Sequence, residues 1–479
     1  MINNFSFCES GRILVSSLRH DANGSGTPEA VGIPAPPEYS NHMHHSNKKI
    51  VFGDVFAGCG GLSLGLLQAG LIGRFAIEHD KFAFATLRAN LLSKDSRFKF
   101  VWPRWLPKEP IAIGRLFDEY EMQLARLEGS IDLLVGGPPC QGFSVAGRRN
   151  HDDPRNKLFE SYLRLVDILR PKAVLIENVR GFTADFDVDV GVKNYSHELR
   201  KKLSTRYDIF EELIDVSQFG VPQRRTRYFL IALRPGLCAG NPFDLLRTRL
   251  PSFLRSMQLK TPVTSWTAIS DLEISRAGKR PSSETSGFDE IKHISPSTRF
   301  QKLMRDGATM LTDLRLARHS KEIRDRFEEI IELSHAEGRL NTTISEEVRA
   351  RYGLRKKALR VLDPDRPSPT ITSMPDDLLH YCEPRTLTVR ENARLQGFPD
   401  WFSFKGKYTT GGHLRRKEVP RFTQVANAVP PLVARALGEM LAELLVDSKC
   451  RIVRSRSLQG NAQVSEVTAQ AKNNPPQFA

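Results

Sequence analysis

From Lys49 to Leu233 the chain alternates short apolar runs with helix-length amphipathic segments, and few folds accommodate that order. The stretches "KIVFGDVF", "RFAIEHD", "IDLLVGG", "KAVLIENV", "YDIFEELIDV" and "RYFLIAL" read as strands. Between them, "GLSLGLLQAG", "KFAFATLRANLL", "NKLFESYLRLVDILR" and "HELRKKLSTR" read as helices, the first ending at Gly70. This alternation predicts an α/β domain with a doubly wound, mostly parallel sheet covered on both faces. Ligands of such sheets bind beyond the carboxyl ends of the strands, so the residues just after each apolar run are the candidates for chemistry.

The first such end is "DVFAGCGGLSLG". Gly58, Gly60 and Gly61 let the backbone turn tightly and come close to a ligand. Glu78 ends the next strand, where a carboxylate can accept hydrogen bonds from both hydroxyls of a ribose. Together they fit an adenosine-containing cofactor without separating NAD from S-adenosylmethionine. A plain strand-to-helix turn would use the same glycines.

The third strand runs into "GGPPCQGFS". Pro138 and Pro139 fix their own φ angles and restrict the residues before them, so Cys140 is held in one direction. A buried packing cysteine needs no aiming, whereas a nucleophile does. The next strand ends in Glu177 and Asn178, at the same sheet edge as Cys140. In "QFGVPQRRTRYFLIAL", Gln223, Arg225 and Arg227 alternate into a strand, so the two arginines share a face. Arginine there can hold a carbonyl or phosphate oxygen with paired donors and favours a nearby thiolate. Each residue alone reads equally as a surface ion pair or strand-end cap; their common edge makes them a candidate site.

The remainder of the chain adds charge. Lys and Arg number 70 against 55 Asp and Glu, a net +15 at a sequence pI near 9.6, which favours a polyanionic partner. The six cysteines, at positions 8, 59, 140, 238, 382 and 450, form no CxxC pair and indicate neither a zinc site nor a disulfide framework. No secretory signal or membrane-length apolar run is present, so a reduced, cytoplasmic setting is expected. Residues 1–48 read as a flexible extension in which His42, His44 and His45 are solvated linker side chains. Residues 234–384 form a basic, irregular insertion without a sheet pattern of its own. It contains "RPGLCAGNPFDLLRTRLPSFLR", a helix "SKEIRDRFEEIIELSHAEG" and the charged run "RARYGLRKKALR". Residues 385–447 end in a helix whose apolar face, Val433, Leu437, Met440, Leu441 and Leu444, is expected to return to the α/β domain. A polar, disordered tail follows from 448.

In this order the motifs resemble the DNA cytosine-5 methyltransferase family. "FAGCGGLSLG" is similar to its cofactor loop, "GGPPCQGFS" to its catalytic loop, "ENV" to its acid motif and "QRRTR" to its QxRxR motif. "RTLTVRENARLQGFPDWF" and "QVANAVPPLVARAL" are similar to its last two motifs. The match spans 49–233 and about 364–446. The resemblance implies a Rossmann-like methyltransferase domain with a smaller target-recognition domain in 234–384. Cys140 would attack C6 of a flipped-out cytosine, Glu177 would engage N3 and the amine, Arg227 would hold O2, and Arg225 would sit near the thiol. Phe56, Gly58, Gly60, Leu62, Glu78, Pro139, Leu158 and Asn427 would bind S-adenosylmethionine. Gln141, Ser144, Arg148 and Arg149, in the loop that closes over the base, would contact DNA. Arg390 and Glu391 would be scaffold.

Departures from the family pattern are visible too. The stretch "FKFVWPRWLPKEPIAIG" lacks the Asp that commonly binds the adenine amine, leaving Trp102 or a backbone group for that contact. Ala426 replaces the usual Gly before Asn427, and Cys59 is read as a small filler. The implied partners are double-stranded DNA and a restriction endonuclease acting on the same site, with the protein a monomer that touches no membrane or metal. The rivals are an RNA cytosine-5 methyltransferase and a catalytically inactive DNA-binding regulator; a NAD-dependent dehydrogenase would share only the glycine turn.

Overall fold

The computed structural model describes residues 49–138, 156–183, 195–411, 414 and 417–446. The N-terminal extension with its histidines, the tail from 448 and the segment from Pro139 to Arg155 lie outside the described residues.

Six strands form the central sheet: β1 (Val51–Val55), β2 (Ile72–Ile77), β3 (Leu133–Gly136), β4 (Ala173–Val179), β5 (Asp208–Asp215) and β6 (Thr226–Leu233), in spatial order β2-β1-β3-β4-β6-β5. The first four are parallel, and β6 is antiparallel to both neighbours. The reason is local. Helices α1 (Gly61–Gln68), α2 (Lys81–Leu87), α3 (Ile113–Ala125), α4 (Asn156–Leu169) and α5 (Tyr195–Leu203) separate the earlier strands, but only a loop with one 3₁₀ turn separates β5 from β6. Without a crossover helix the chain returns antiparallel.

The inner strands β1, β3, β4 and β6 are largely buried on both faces, whereas the edge strand β5 is mostly half-exposed, and alternate residues divide between two cores. Ala173, Leu175, Phe229 and Ile231 face a core shared with α1 and α2. Val174, Ile176, Leu230 and Ala232 face one built from α3, α4 and α5. Helix α3 carries its apolar residues at Ile113, Leu116, Phe117 and Leu124, on one face. At the outer edge of β2, "FKFVWPRW" contributes a single sheet-like hydrogen bond, Val101 N to Gly73 O at 2.8 Å. Pro103 follows without an N–H to extend the ladder.

The insertion opens with α6 (Pro242–Ser256), capped by Asn241. It continues through α7 (Ser265–Ile269), α8 (Ile274–Ala277), α9 (Arg299–Arg305), α10 (Lys321–Ala336) and α11 (Glu346–Arg351). Contrary to expectation it has strands, β7 (Lys279–Pro281) with β8 (Asp289–Ile291) and β9 (Arg360–Val361) with β10 (Leu378–Leu379). At two or three residues each they are too short to leave an alternating pattern in sequence. Three further helices complete the chain: α12 (Val389–Leu395), α13 (Arg421–Asn427) and α14 (Pro431–Val446).

Helix α14 returns to α1, with Val433, Leu437, Met440, Leu441 and Leu444 all buried. Gly65 permits the approach, since a Cβ there would lie 2.4 Å from both Ala434 Cβ and Pro431 O. Helix α6 packs on the same helix and pairs Arg249 with Glu443, so the start of the insertion shares the core of the sheet domain. Helix α12 anchors the rest of it. Arg394, fully buried, donates to Asp400 and Asp271, and Arg390 donates to Pro399 O, Phe402 O and Thr312 O. Glu391 closes a capping box with Thr388 and accepts two bonds from Arg385.

Candidate active site

The carboxyl ends of β1, β2, β3 and β4 open into one cavity of about 330 Å³. Its first wall is the turn after β1. Phe56 takes a left-handed φ of 61°, and Gly58 and Gly60 follow at 56° and 94°, a run that glycine makes accessible. Glu78 locks the turn, accepting Gly58 N at 2.9 Å and Asp80 N at 2.7 Å. Glu78 also lines the cavity, and a carboxylate has further lone pairs with which to accept from a ligand. His79 lies beside it, Nδ1 3.1 Å from Glu78 Oε1, and the hydrogen bond to Glu78 raises its pKa.

The second wall comes from α13 and its flanks: Val419, Gln424, Asn427, Ala428 and Val429. Ala426 is helical and buried, away from positive φ, so the methyl group is tolerated there. Cys59 is buried against Gln424 O, and burial pushes its thiol up to about 12, as suits a filler.

The third wall carries the acid and the arginines. Glu177 continues the Ala173/Leu175 face of β4, and Arg227 continues the Phe229/Ile231 face of β6. Val179 is directly opposite Arg227, so Glu177 is its diagonal neighbour on that face. Arg227 Nε is 3.1 Å from Glu177 Oε1. Burial raises the Glu177 pKa, while Arg227 and then Arg225 oppose the rise. Arg225 is itself buried, which, with repulsion from Arg227, lowers its pKa; its Nε has no hydrogen-bond partner among the described residues. Asn178 donates to Pro138 O at 3.1 Å and so ties the end of β4 to the root of the cysteine loop.

The cavity thus brings together Phe56, Gly58, Leu62, Glu78, Asn427, Glu177, Arg225 and Arg227. Gly60 shapes the turn without lining it, and Leu158 packs on the α3–α5 side, away from the lining. Cys140, Pro139, Gln141, Ser144, Arg148 and Arg149 lie outside the described residues. Gln223 is no cavity residue. Fully buried, it accepts Ile371 N at 3.0 Å and donates to Leu395 O and Gln396 Oε1, fastening the insertion's re-entry to the sheet. Trp102 does not line the cavity, and its Nε1 donates to Leu106 O.

Asp54, which the sequence patterns do not single out, lines the cavity fully buried, accepts Ser63 Oγ at 2.5 Å, and has no partner for Oδ1 among the described residues. Its signal was a lone carboxylate inside an apolar strand. In the charged run after α10, Arg351 pairs with Glu329, and Lys356 with Asp376 and Asp377.

A mostly parallel α/β sheet, with a glycine-turn cavity at its carboxyl edge and an acid–arginine cluster in the same cavity, defines a Rossmann-like group-transfer enzyme. The model of the family described as C-5 cytosine-specific DNA methylase matches residues 50–443, and the chain belongs to that family. It is 30% identical over 425 residues to the Type II methyltransferase M.DdeI of Desulfomicrobium norvegicum, covering 84% of this chain and 92% of that protein. It is 28% identical to the Type II methyltransferase M.AgeI of Thalassovita gelatinovora, covering 81% and 98%. Among solved structures, a prophage-encoded Escherichia coli protein assigned as a DNA modification methyltransferase superposes with a TM-score of 0.58 at 26% identity, over 83% of this chain and all of that one.

Proposed function

We propose that the protein methylates C5 of a cytosine flipped out of double-stranded DNA, taking the methyl group from S-adenosylmethionine. The observation that carries this reading is the shared cavity lined by Glu177, Arg227 and Arg225 together with the Phe56–Glu78 turn and Pro138, which stands two residues before Cys140 in the sequence.

The cavity chemistry fits the cofactor. Phe56 offers a ring face to an adenine, Glu78 offers acceptors to ribose hydroxyls, and Asn427 lies at the rim. When bound, S-adenosylmethionine supplies an electrophilic methyl group. The protein residues prepare the acceptor. Cys140 thiolate adds to C6 while Glu177, whose raised pKa keeps a proton available, protonates or hydrogen-bonds N3. Arg227 holds O2 and fixes the carboxyl by its ion pair. After methylation the C5 proton leaves to a base, and the C6–S bond breaks to restore the ring and the thiolate.

The two relatives are Type II methyltransferases. We extend the proposal to a cytoplasmic monomer working beside an endonuclease that cuts the same site, a pairing that the Type II names of those relatives support. The insertion and the net charge of +15 supply the DNA surface. The test is covalent trapping. Duplex DNA carrying 5-fluorocytosine at the target, with S-adenosylmethionine, should yield a denaturation-resistant complex, because fluorine cannot leave as a proton does. Absence of the complex, or full activity in Cys140→Ser, overturns the mechanism. Methylation of transfer RNA but not of DNA overturns the substrate.

A further inference from the structure

The cofactor-side wall formed by α13 is fastened at several points, three of them by carboxylate or hydroxyl side chains of other segments. Two of these come from the sheet domain. Asp80 Oδ2, next to Glu78, accepts Val419 N at 3.2 Å, and Thr86 Oγ1 on α2 donates to Gln424 Oε1 at 2.6 Å. The third comes from the insertion. Arg421, the first residue of α13, donates from Nη1 to Glu284 Oε2 at 2.5 Å and to Asp313 Oδ1 at 2.8 Å.

Glu284 is the centre of this third anchor. Its Oε1 accepts Asp313 N at 2.6 Å, and its Oε2 also accepts Tyr408 Oη at 2.9 Å. The guanidinium of Arg315 lies 3.6 Å, and that of Arg421 4.2 Å, from the centre of the Tyr408 ring. Two cations on one ring in a half-buried setting need a carboxylate beside them, and Glu284 and Asp313 supply it. Neither Glu284 nor Arg421 lines the cavity. Yet Arg421 is three residues before Gln424 and six before Asn427, on the same short helix.

We propose that Glu284 and Arg421 form a positioning pair through which the insertion sets the cofactor wall of the active site. The pair rests on the reading of that cavity as the S-adenosylmethionine pocket. Loss of the Glu284 charge leaves Arg315 and Arg421 facing each other with Asp313 alone to compensate, so α13 shifts and Gln424 and Asn427 move with it. A pair shared by the insertion and the pocket also makes cofactor affinity depend on how the insertion sits, because coupling of this kind is reciprocal.

The experiment is calorimetric titration of the full chain with S-adenosylhomocysteine, for wild type, Glu284→Gln, Arg421→Gln and the double variant. Asp289→Asn, in the same hairpin and paired with Lys279 instead, is the control. Each single variant should bind about tenfold more weakly, the double no worse than about the weaker single, and the control like wild type. In methyl transfer, KM for S-adenosylmethionine should rise while kcat at saturation is retained, a split that general unfolding would not produce. Should Arg421→Gln fail to fold, Tyr408→Phe, which removes one bond to Glu284, should still weaken binding several-fold. Wild-type binding with both single variants within twofold of it overturns the pair, as does equal weakening in Asp289→Asn. A wild-type chain that binds no S-adenosylhomocysteine overturns the cofactor reading and the pair together.

Discussion

Arg227 reaches Glu177 across the antiparallel β4–β6 pair, Nε to Oε1 at 3.1 Å, and both side chains are nearly buried. Burial and the Arg227 guanidinium act on the acid in opposite directions. Burial favours the neutral carboxyl and the guanidinium favours the charged one. The result is an acid whose pKa stays above the ordinary value yet whose orientation is fixed, which is what a donor to a ring nitrogen requires.

Arg227→Ala should remove both the clamp and the opposing charge. We expect kcat/KM for methyl transfer to fall by about 10²-fold or more, and the alkaline limb of the pH–rate profile to move upward as the Glu177 pKa rises further. Arg227→Lys should recover little, because an ammonium lacks the planar paired donors. Tritiated-methyl incorporation across a pH series reads both effects.

Glu177→Gln keeps the shape and removes the proton. A fall in kcat of about 10² to 10⁴ is expected, with cofactor binding close to wild type because Glu78, not Glu177, stands at the glycine turn. A variant that instead loses cofactor binding would mean the residue holds the pocket together.

The sheet and most of this site were legible in sequence because each piece is local. β–α alternation, a glycine turn and a carboxylate at a strand end leave patterns within about ten residues of one another. The direction of β6 was not, since it depends on the missing crossover between Asp215 and Thr226. Helix α3 was passed over although Ile113, Leu116 and Phe117 stand at helical spacing; the prolines before it, at 103, 107 and 110, broke the pattern that would have framed it. Least legible were contacts between distant segments. Gln223 was read with the arginines as part of one motif, but its side chain serves residues 371, 395 and 396. Likewise nothing near Arg421 in sequence points to Glu284.

Asp54 should make stability depend on pH. Burial raises its pKa from 3.8 to about 7, Glu78 adds to the rise, and the Ser63 hydroxyl partly opposes it. In the unfolded chain the carboxyl ionises near 3.8, so between about pH 4 and 7 the folded state holds a proton that the unfolded state has released. Stability from this group therefore falls as pH rises through that window and levels off above it. At about 1.4 kcal/mol per pH unit the loss is on the order of 4 kcal/mol. Asp54→Asn can still accept from Ser63 and should flatten the dependence, leaving the variant more stable than wild type at pH 8 but not at pH 4. Urea unfolding at the two pH values measures it.

Gly65 tests whether α14 holds the cofactor wall as well as the core. A side chain at this position meets Ala434 Cβ and Pro431 O at 2.4 Å, and backbone on the α14 side cannot yield without moving the helix. Gly65→Val should destabilise the fold by about 3 kcal/mol or more through overpacking, lowering the melting temperature. Because Pro431 lies two residues after Val429, which with Ala428 lines the cavity, the displaced helix should also weaken S-adenosylhomocysteine binding. Gly438, where a Cβ would lie 2.8 Å from Ala69 Cβ farther along the same contact, separates the two effects. Gly438→Val should cost comparable stability at the far end of α14 while leaving cofactor affinity nearer to wild type. Equal losses of affinity in both variants would mean that α14 moves as one rigid body against α1.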